Sequence, residues 1–190
     1  MADPYEGTTI AGRYRVRHIL GVGGSASVYE AEDLTFGRTV AVKIPHGSAG
    51  SKTIAAKRLV REARASGAVG HPNVCEISEI GSLQGGTPFV VMERLVGETL
   101  RDRITNAGRL PFGDIVDIMM QVLSGLGAAH EHGIIHRDIK PENIFLSRRA
   151  GCPALVKILD FGLVATDQPM KEDLTAVGRV VGTPHYLAPE

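Results

Sequence analysis

The sequence contains little cysteine and no excess of either charge. Its 190 residues include two cysteines, Cys75 and Cys152, which excludes a disulfide-stabilised scaffold and is typical of a reducing compartment. Lys and Arg number 21, and Asp and Glu also number 21, so the formal net charge is zero. Nucleic-acid binding normally needs a basic surface, and we therefore expect no nucleic-acid partner.

The chain also lacks the signals of secretion and membrane insertion. Its first residues, 1–6, contain neither the basic nor the apolar region of a signal peptide. No apolar run approaches the roughly 18 residues of a transmembrane helix. We expect a cytoplasmic chain with no membrane segment of its own, and leave open a membrane tether outside these residues.

Glycine, by contrast, is abundant: there are 23 glycines, where an average composition would give about 13. Apolar alternation and the glycine-rich turns between apolar segments predict five strands. Helix-favouring residues over 53–68 and apolar residues at helical spacing over 112–132 predict two helices. We place the strands near 14–20, 27–31, 40–44, 74–81 and 87–93, the helices over 53–68 and 112–132, and a later hairpin at 144–146 and 155–159. Strands followed by helices indicate an α+β fold of two lobes, with a boundary near Leu95–Gly97.

A glycine-rich segment lies between the first two predicted strands. Residues 21–28 have the pattern G-x-G-x-x-A-x-V, in which backbone N–H groups can lie over phosphates. The same pattern fits a simple hairpin turn, or the dinucleotide site of an NAD-dependent oxidoreductase. A dinucleotide loop opens a helix, whereas a strand follows here, so the oxidoreductase is disfavoured.

Lys43 and Glu62 are candidates for an ion pair at a phosphate site. Lys43 ends an apolar strand, where an ammonium group is costly to bury without an anion. Glu62 lies within the predicted helix at 53–68. The alternative is a solvated lysine and a surface glutamate in i,i+4 pairs, since the basic residues of that helix, Arg58 among them, read as a solvated face.

The segment Ile134–Asn143 is the most specific in the chain. Asp138 can accept a proton from a hydroxyl, Lys140 can neutralise charge on a phosphoryl group, and Asn143 offers an oxygen to a hard cation. Asp160-Phe161-Gly162 follows an apolar strand, where a carboxylate suits Mg²⁺. The alternative for the first segment is a charged surface loop without chemistry.

Together these motifs occur in the order of the protein-kinase signature set, ending with Ala188-Pro189-Glu190. The chain therefore resembles a Hanks-type serine/threonine protein kinase of the bacterial branch, because Lys140 after Asp138 is the Ser/Thr form of the loop. The resemblance implies a leader at 1–12, an N-lobe at 13–95 with a five-stranded antiparallel sheet and one helix, and a partial helical C-lobe at 96–190. The C-lobe is expected to be truncated after Ala-Pro-Glu. Ala26 departs from the family's third glycine.

The resemblance also implies the ligands, ATP and Mg²⁺, and a role for each motif residue. Asp138 is the expected catalytic base, Lys140 stabilises the transferred group, and Thr183 braces both. Mg²⁺ is expected on Asn143 and Asp160. The adenine and phosphates are expected between the lobes, against Leu20, Gly21, Gly23, Val28, Ala41, Lys43 (paired with Glu62), Met92, Phe145 and the backbone of Glu93 and Leu95.

Regulation is expected through Arg137, whose guanidinium would pair with a phosphate on Thr175. The implied substrates are proteins with Ser or Thr hydroxyls, with autophosphorylation among the expected reactions. The alternative is a truncated or non-catalytic nucleotide-binding scaffold, similar to a pseudokinase. Three histidines, His130, His132 and His136, lack the spacing and neighbouring cysteines of a zinc site.

Overall fold

The computed structural model describes residues 3–46, 49–149, 151–161 and 186. The described chain forms two compact units. One comprises residues up to Gly67 together with Cys75–Leu95, and the other comprises Ala68–Val74 together with the residues from Val96 onward.

The first unit contains a six-stranded antiparallel sheet in the order β1-β2-β3-β4-β6-β5. Its elements in chain order are β1 (Thr9–Ile10), β2 (Tyr14–Val22), β3 (Ala26–Asp33), β4 (Arg38–Pro45), α1 (Ala49–Val69), β5 (Ile77–Ser82) and β6 (Pro88–Glu93).

The predicted number of five strands is one too few. The additional strand, β1, lies in the predicted leader, where Thr9 pairs with Arg15 and Ile10 with Tyr14. Ile10 is only 4% exposed, so one apolar side chain anchors an otherwise polar segment. Two paired residues are too few to produce a visible alternation in the sequence, which is why periodicity did not reveal this strand.

The two faces of the sheet pack against different parts of the unit. Alternate residues of β3, β4 and β6, such as Tyr29, Val42 and Val91, belong to the main apolar core of the unit. The residues between them point to the opposite face, because successive strand side chains alternate. On that face Leu59 and Ala63 of α1 cluster with Val90, so helix α1 covers the side of the sheet that carries Lys43.

The second unit combines helices with a three-stranded sheet in the order β7-β8-β9. Its elements are β7 (Gly97–Thr99), α2 (Leu100–Ala107), α3 (Phe112–Glu131), a 3₁₀ turn (Pro141–Asn143), β8 (Ile144–Arg149) and β9 (Cys152–Ile158). The predicted late hairpin is thus β8–β9, and β7 adds a third strand. Gly133, with φ 68°, follows α3 in the left-handed conformation typical of a helix end.

Helix α3 has an exposed apolar face. Phe112 is 81% exposed, and Met120 and Leu123 are also exposed. Contrary to the expectation from sequence, α3 is long and apolar enough to cross a membrane by length and composition alone. One such helix is weak evidence, because core helices of soluble proteins pass the same test.

Candidate active site

The glycine-rich segment is a hairpin between β2 and β3, as its sequence context predicted. Val22 pairs with Ser27 across the turn, and the amide of Gly23 donates to the carbonyl of Ala26 at 2.9 Å. Residues 21–25 are exposed. A strand rather than a helix follows the turn, so the arrangement differs from that of a dinucleotide-binding loop.

Lys43 lies on β4 among the residues predicted to contact a nucleotide. In the sheet register Val28 pairs with Lys43, and Ala41 pairs with Met92. Directly paired residues of antiparallel strands share a face, and Ala41 and Lys43 share it too because they are two residues apart. Val28, Ala41, Lys43 and Met92 therefore lie on the face that α1 covers.

Helix α1 brings Glu62 to this face. Leu59, one turn earlier, packs into the cluster with Val90, and this contact sets the rotation of the helix. Glu62 and Lys43 line one small cavity together with Ser25, Ala26, Pro45, Ala55, Arg58 and Leu59. The first unit thus assembles the predicted amine and carboxylate around one cavity.

Arg58 is exposed, as the predicted solvated helix face requires, but the sequence did not indicate that it lines this cavity. Its Nε lies 2.7 Å from Oε1 of Glu62, in an i,i+4 ion pair, and its side chain lines the cavity that contains Lys43. The spacing of four residues between Arg58 and Glu62 was the available signal. Glu62 therefore makes the i,i+4 contact of the alternative interpretation and also faces the cavity.

The end of β6 and the residues after it hold the backbone groups predicted to bind an adenine edge. The amide of Glu93 donates to the carbonyl of Glu76 at 3.0 Å. The guanidinium of Arg94 is held by Glu30 at 2.9 Å and also donates to the carbonyl of Leu95. This segment is therefore tied to β3 through the side chain of Arg94.

In the second unit, Asp138, Lys140 and Asn143 come together in one cluster. The ammonium of Lys140 lies 2.7 Å from Oδ2 of Asp138. The Nδ2 of Asn143 donates to the Asp138 carbonyl at 2.8 Å and lies 3.4 Å from its Oδ2. The Asp138 side chain is 15% exposed, so the carboxylate is oriented by its neighbours and still reaches solvent.

His136 supports this cluster from within the unit. Its Nε2 lies 2.9 Å from the carbonyl of Leu159, and its Nδ1 accepts from the amide of Asp138 at 3.3 Å. These partners require a neutral ring with the proton on Nε2. Burial lowers the pKa of His136 below its ordinary value, which agrees with that neutral form.

Asp160 follows β9, as predicted for a metal-binding carboxylate. The amide of Leu159 donates to the carbonyl of Asn143 at 2.8 Å, which joins the end of β9 to the loop that carries Asn143. Asp160 adopts a positive φ of 46°, a conformation uncommon outside glycine. Phe161 is fully buried, and its ring centroid lies 4.8 Å from that of His136.

Several predicted residues lie outside the described residues. They are Gly162, Thr175, Thr183 and the closing Ala188–Glu190. Arg137, the predicted partner of a phosphate on Thr175, is described and has a positive φ of 63°.

The sequence reasoning also missed a pair of amide side chains, one buried and one half-buried, that supports β9. The Nδ2 of Asn73 donates to the carbonyl of Val156 at 2.9 Å and to Oε1 of Gln121 at 3.2 Å. The same Gln121 oxygen accepts from the amide of Val156 at 3.0 Å. Isolated amide residues far apart in sequence gave no signal that they would meet, and here they fix α3 to the strand that leads to Asp160.

Comparison with known proteins decides the family. A family model described as the protein kinase domain matches residues 14–190. The chain belongs to the protein kinase family. It is 38% identical to the serine/threonine-protein kinase pkn3 of Myxococcus xanthus over 99% of this chain, and 35% identical to PrkC of Bacillus subtilis over 97% of this chain.

The kinase chain spans about a third of the length of these relatives or less, namely 35% of pkn3 and 27% of PrkC. Among solved structures, the PknI kinase domain of Mycobacterium tuberculosis matches with a TM-score of 0.67 at 26% identity, covering 87% of this chain and 64% of that one. The predicted fold class, a kinase-like α+β fold, is thereby confirmed.

Protein kinases in general use ATP with a divalent metal ion, and the described residues fit a magnesium ion. Mg²⁺ usually keeps several waters and takes one or two protein oxygens together with substrate phosphates. Asn143 directs its Nδ2 to Asp138, so its amide oxygen is the atom suited to a cation. No cluster of three or more His, Cys, Asp or Glu residues suited to a metal occurs in the described part of the chain.

Proposed function

We propose that this chain transfers the γ-phosphoryl group of ATP to Ser and Thr hydroxyls of proteins. The observation that carries the proposal is the cluster of Asp138, Lys140 and Asn143, in which an ammonium holds the partly exposed carboxylate and an amide holds the backbone carbonyl of the same residue. The names of the relatives, which are serine/threonine-protein kinases, support the same reaction.

Asp138 acts as the base in this proposal. Its amide is held by His136 and its carbonyl by Asn143, so the backbone that carries the carboxylate is fixed on both sides. A positioned carboxylate orients the substrate hydroxyl and accepts its proton as the phosphoryl group arrives. Lys140, 2.7 Å from that carboxylate, stabilises negative charge on the transferred group.

Asn143 and Asp160 hold Mg²⁺ in this proposal. The bond between the Leu159 amide and the Asn143 carbonyl places the two side chains on backbone segments that are joined to each other. A magnesium ion there would neutralise charge on the β- and γ-phosphates. Phe161, buried beside His136, anchors the chain immediately after Asp160.

In the first unit, the proposal assigns Lys43 to the α- and β-phosphates. Lys43 and Glu62 line one cavity, where the carboxylate balances and orients the amine. The exposed glycine-rich turn, with Gly21 and Gly23, covers the phosphates. Adenine is assigned to Leu20, Val28, Ala41, Met92 and Phe145, with backbone groups of Glu93 and Leu95 on its edge.

The proposal includes regulation by a phosphate on Thr175 that pairs with Arg137. It also includes the bracing role of Thr183 and a cytoplasmic location. Mass spectrometry of the chain after incubation with Mg·ATP tests the first of these. Phosphate on Thr175 that is lost from Asp138→Asn protein would support autophosphorylation, and an unmodified Thr175 would contradict it.

The central test separates binding from transfer. Lys43→Met and Asp160→Asn should weaken Mg·ATP binding, measured by calorimetry, whereas Asp138→Asn should bind normally and lower transfer to a generic Ser-rich protein by about 100-fold or more. Asn106→Ala, an exposed change on α2, serves as the control. Binding without transfer by the unaltered chain would favour the non-catalytic scaffold, and absence of both would refute the proposal.

A further inference from the structure

The residues ahead of β2 contact the strand that leads into the glycine-rich turn. We refer to residues 3–10 as the N-terminal strap. The amide of Gly7 donates to the carbonyl of Val16 at 3.1 Å, and the amide of Val16 donates to the carbonyl of Thr8 at 2.9 Å. Together with β1, these bonds cover the outer edge of β2, an edge that would otherwise present unpaired backbone groups.

The strap is anchored on the sheet by an aromatic contact. The hydroxyl of Tyr29 donates to Oδ2 of Asp3 at 3.0 Å, and the ring of Tyr5 meets the ring of Tyr29 edge-on, with centroids 5.6 Å apart. Tyr29 is 2% exposed and belongs to the main core. The start of the strap is therefore attached to a rigid part of β3.

The strap also contacts β2 at a second place, where the pairing of β2 with β3 is irregular. The register shifts between Val16 and His18, and again between Ile19 and Gly21. Between these two shifts, the amide of Ile19 donates to Oε1 of Glu6 at 3.0 Å. A side chain of the strap thus satisfies a backbone donor just ahead of the glycine-rich turn.

We propose that Glu6 is a positioning residue for nucleotide binding, which it serves by holding the amide of Ile19 and thereby the entry of β2 into the turn at Gly21. This inference rests on the proposed function, which places the turn over the phosphates. Ile19 also precedes Leu20, which the proposal assigns to the adenine. Glu6 itself is exposed and touches no nucleotide in this scheme, so it acts only through β2.

The test compares Glu6→Ala with Glu6→Gln in the full 190-residue chain. The glutamine keeps an oxygen that can accept the Ile19 amide, whereas the alanine removes it. We expect Glu6→Ala to raise the dissociation constant for fluorescently labelled Mg·ADP by roughly 2- to 5-fold, the effect of one lost hydrogen bond. Glu6→Gln should bind as the unaltered chain does, and Glu131→Ala, an exposed carboxylate at the end of α3, should do the same.

Amide hydrogen exchange gives a second readout that needs no ligand. In Glu6→Ala the amide of Ile19 should exchange faster, with no change at the amide of Ile158 in the other unit. Unchanged binding and exchange in Glu6→Ala, or equal effects of both substitutions, would overturn the role of Glu6 while leaving the proposed function intact. An unaltered chain that binds no Mg·ADP would overturn both.

Discussion

Replacement of His136 by phenylalanine tests whether the catalytic cluster depends on a neutral buried imidazole. Phenylalanine keeps a planar ring beside Phe161, whose centroid lies 4.8 Å away. It removes both ring nitrogens, so the Leu159 carbonyl and the Asp138 amide lose the partners they have at 2.9 and 3.3 Å. The substitution therefore isolates hydrogen bonding from packing.

The magnitude follows from these two contacts. A buried polar group that loses its partner costs about 1–3 kcal/mol. Both groups here are only partly buried, and the 3.3 Å contact is long. We therefore expect the lower end of that range, about 1 kcal/mol, for each group, and about 2 kcal/mol for the two together. In a chain of this size the melting temperature should fall by about 4–8 °C. His132→Phe, the same change at an exposed histidine, should cost much less.

The dependence on pH has a definite sign. Burial holds the pKa of His136 below 6.5, its ordinary value, so the unfolded chain binds more protons than the folded chain just below pH 6.5. Stability then rises with pH in this window. The unaltered chain should lose stability as the pH falls below 6.5, and His136→Phe should lack this component of the loss.

Thermal and urea unfolding at a series of pH values between 5 and 8 measure both effects. The reasoning would be refuted if His136→Phe and His132→Phe lowered the melting temperature equally. It would also be refuted if stability of the His136→Phe protein fell as steeply below pH 6.5 as that of the unaltered chain.

Three other substitutions probe separate parts of the structure. Gly125→Ala should destabilise the chain by about 1–3 kcal/mol, because a Cβ there would lie 2.9 Å from a side-chain carbon of β9. Gly127→Ala, in open space on the same helix, should instead stabilise the chain by up to about 1 kcal/mol. Equal effects of the two substitutions in urea unfolding would contradict this packing. The guanidinium of Arg13 lowers the pKa of the Asp33 carboxyl from 3.8 to about 2. The stabilising contribution of this carboxylate is therefore complete above pH 3.8 and is lost as the pH falls toward 2. Asp33→Asn should therefore reduce the loss of stability between pH 4 and pH 2, and an unchanged acid-unfolding profile would count against this. Asn143→Ala should raise the Mg²⁺ concentration needed for ADP binding by about 10-fold or more, with Asn106→Ala as the control; an unchanged requirement would exclude Asn143 as a ligand.

The motifs that identify the family were readable from the sequence because each is local. The glycine spacing at 21–28 and the run from His136 to Asn143 combine chemistry and backbone freedom within a few consecutive residues. Their order along the chain added to their specificity, and alternating apolar residues were sufficient to locate β2, β3 and β4. Local patterns of this kind can be recognised without any knowledge of tertiary contacts.

Contacts between residues far apart in the chain could not be predicted from the sequence. The β1 strand, the Glu6–Ile19 hydrogen bond and the pairing of Asn73 with Gln121 join segments that carry no shared pattern. The packing of Leu59, which sets the rotation of α1, was also needed to place the exposed Arg58 beside the cavity that Lys43 lines.

By itself, the sequence determined which chemical groups are present and in what order, since motif residues and backbone freedom are encoded in neighbouring positions. The tertiary structure alone decided which of these groups meet and how they are oriented. Asp138 illustrates the difference: its carboxylate is visible in the sequence, but the His136 ring that fixes its backbone is kept neutral by burial and is oriented by the carbonyl of Leu159, just after β9. Burial and hydrogen-bond geometry arise only when segments far apart in the chain pack together.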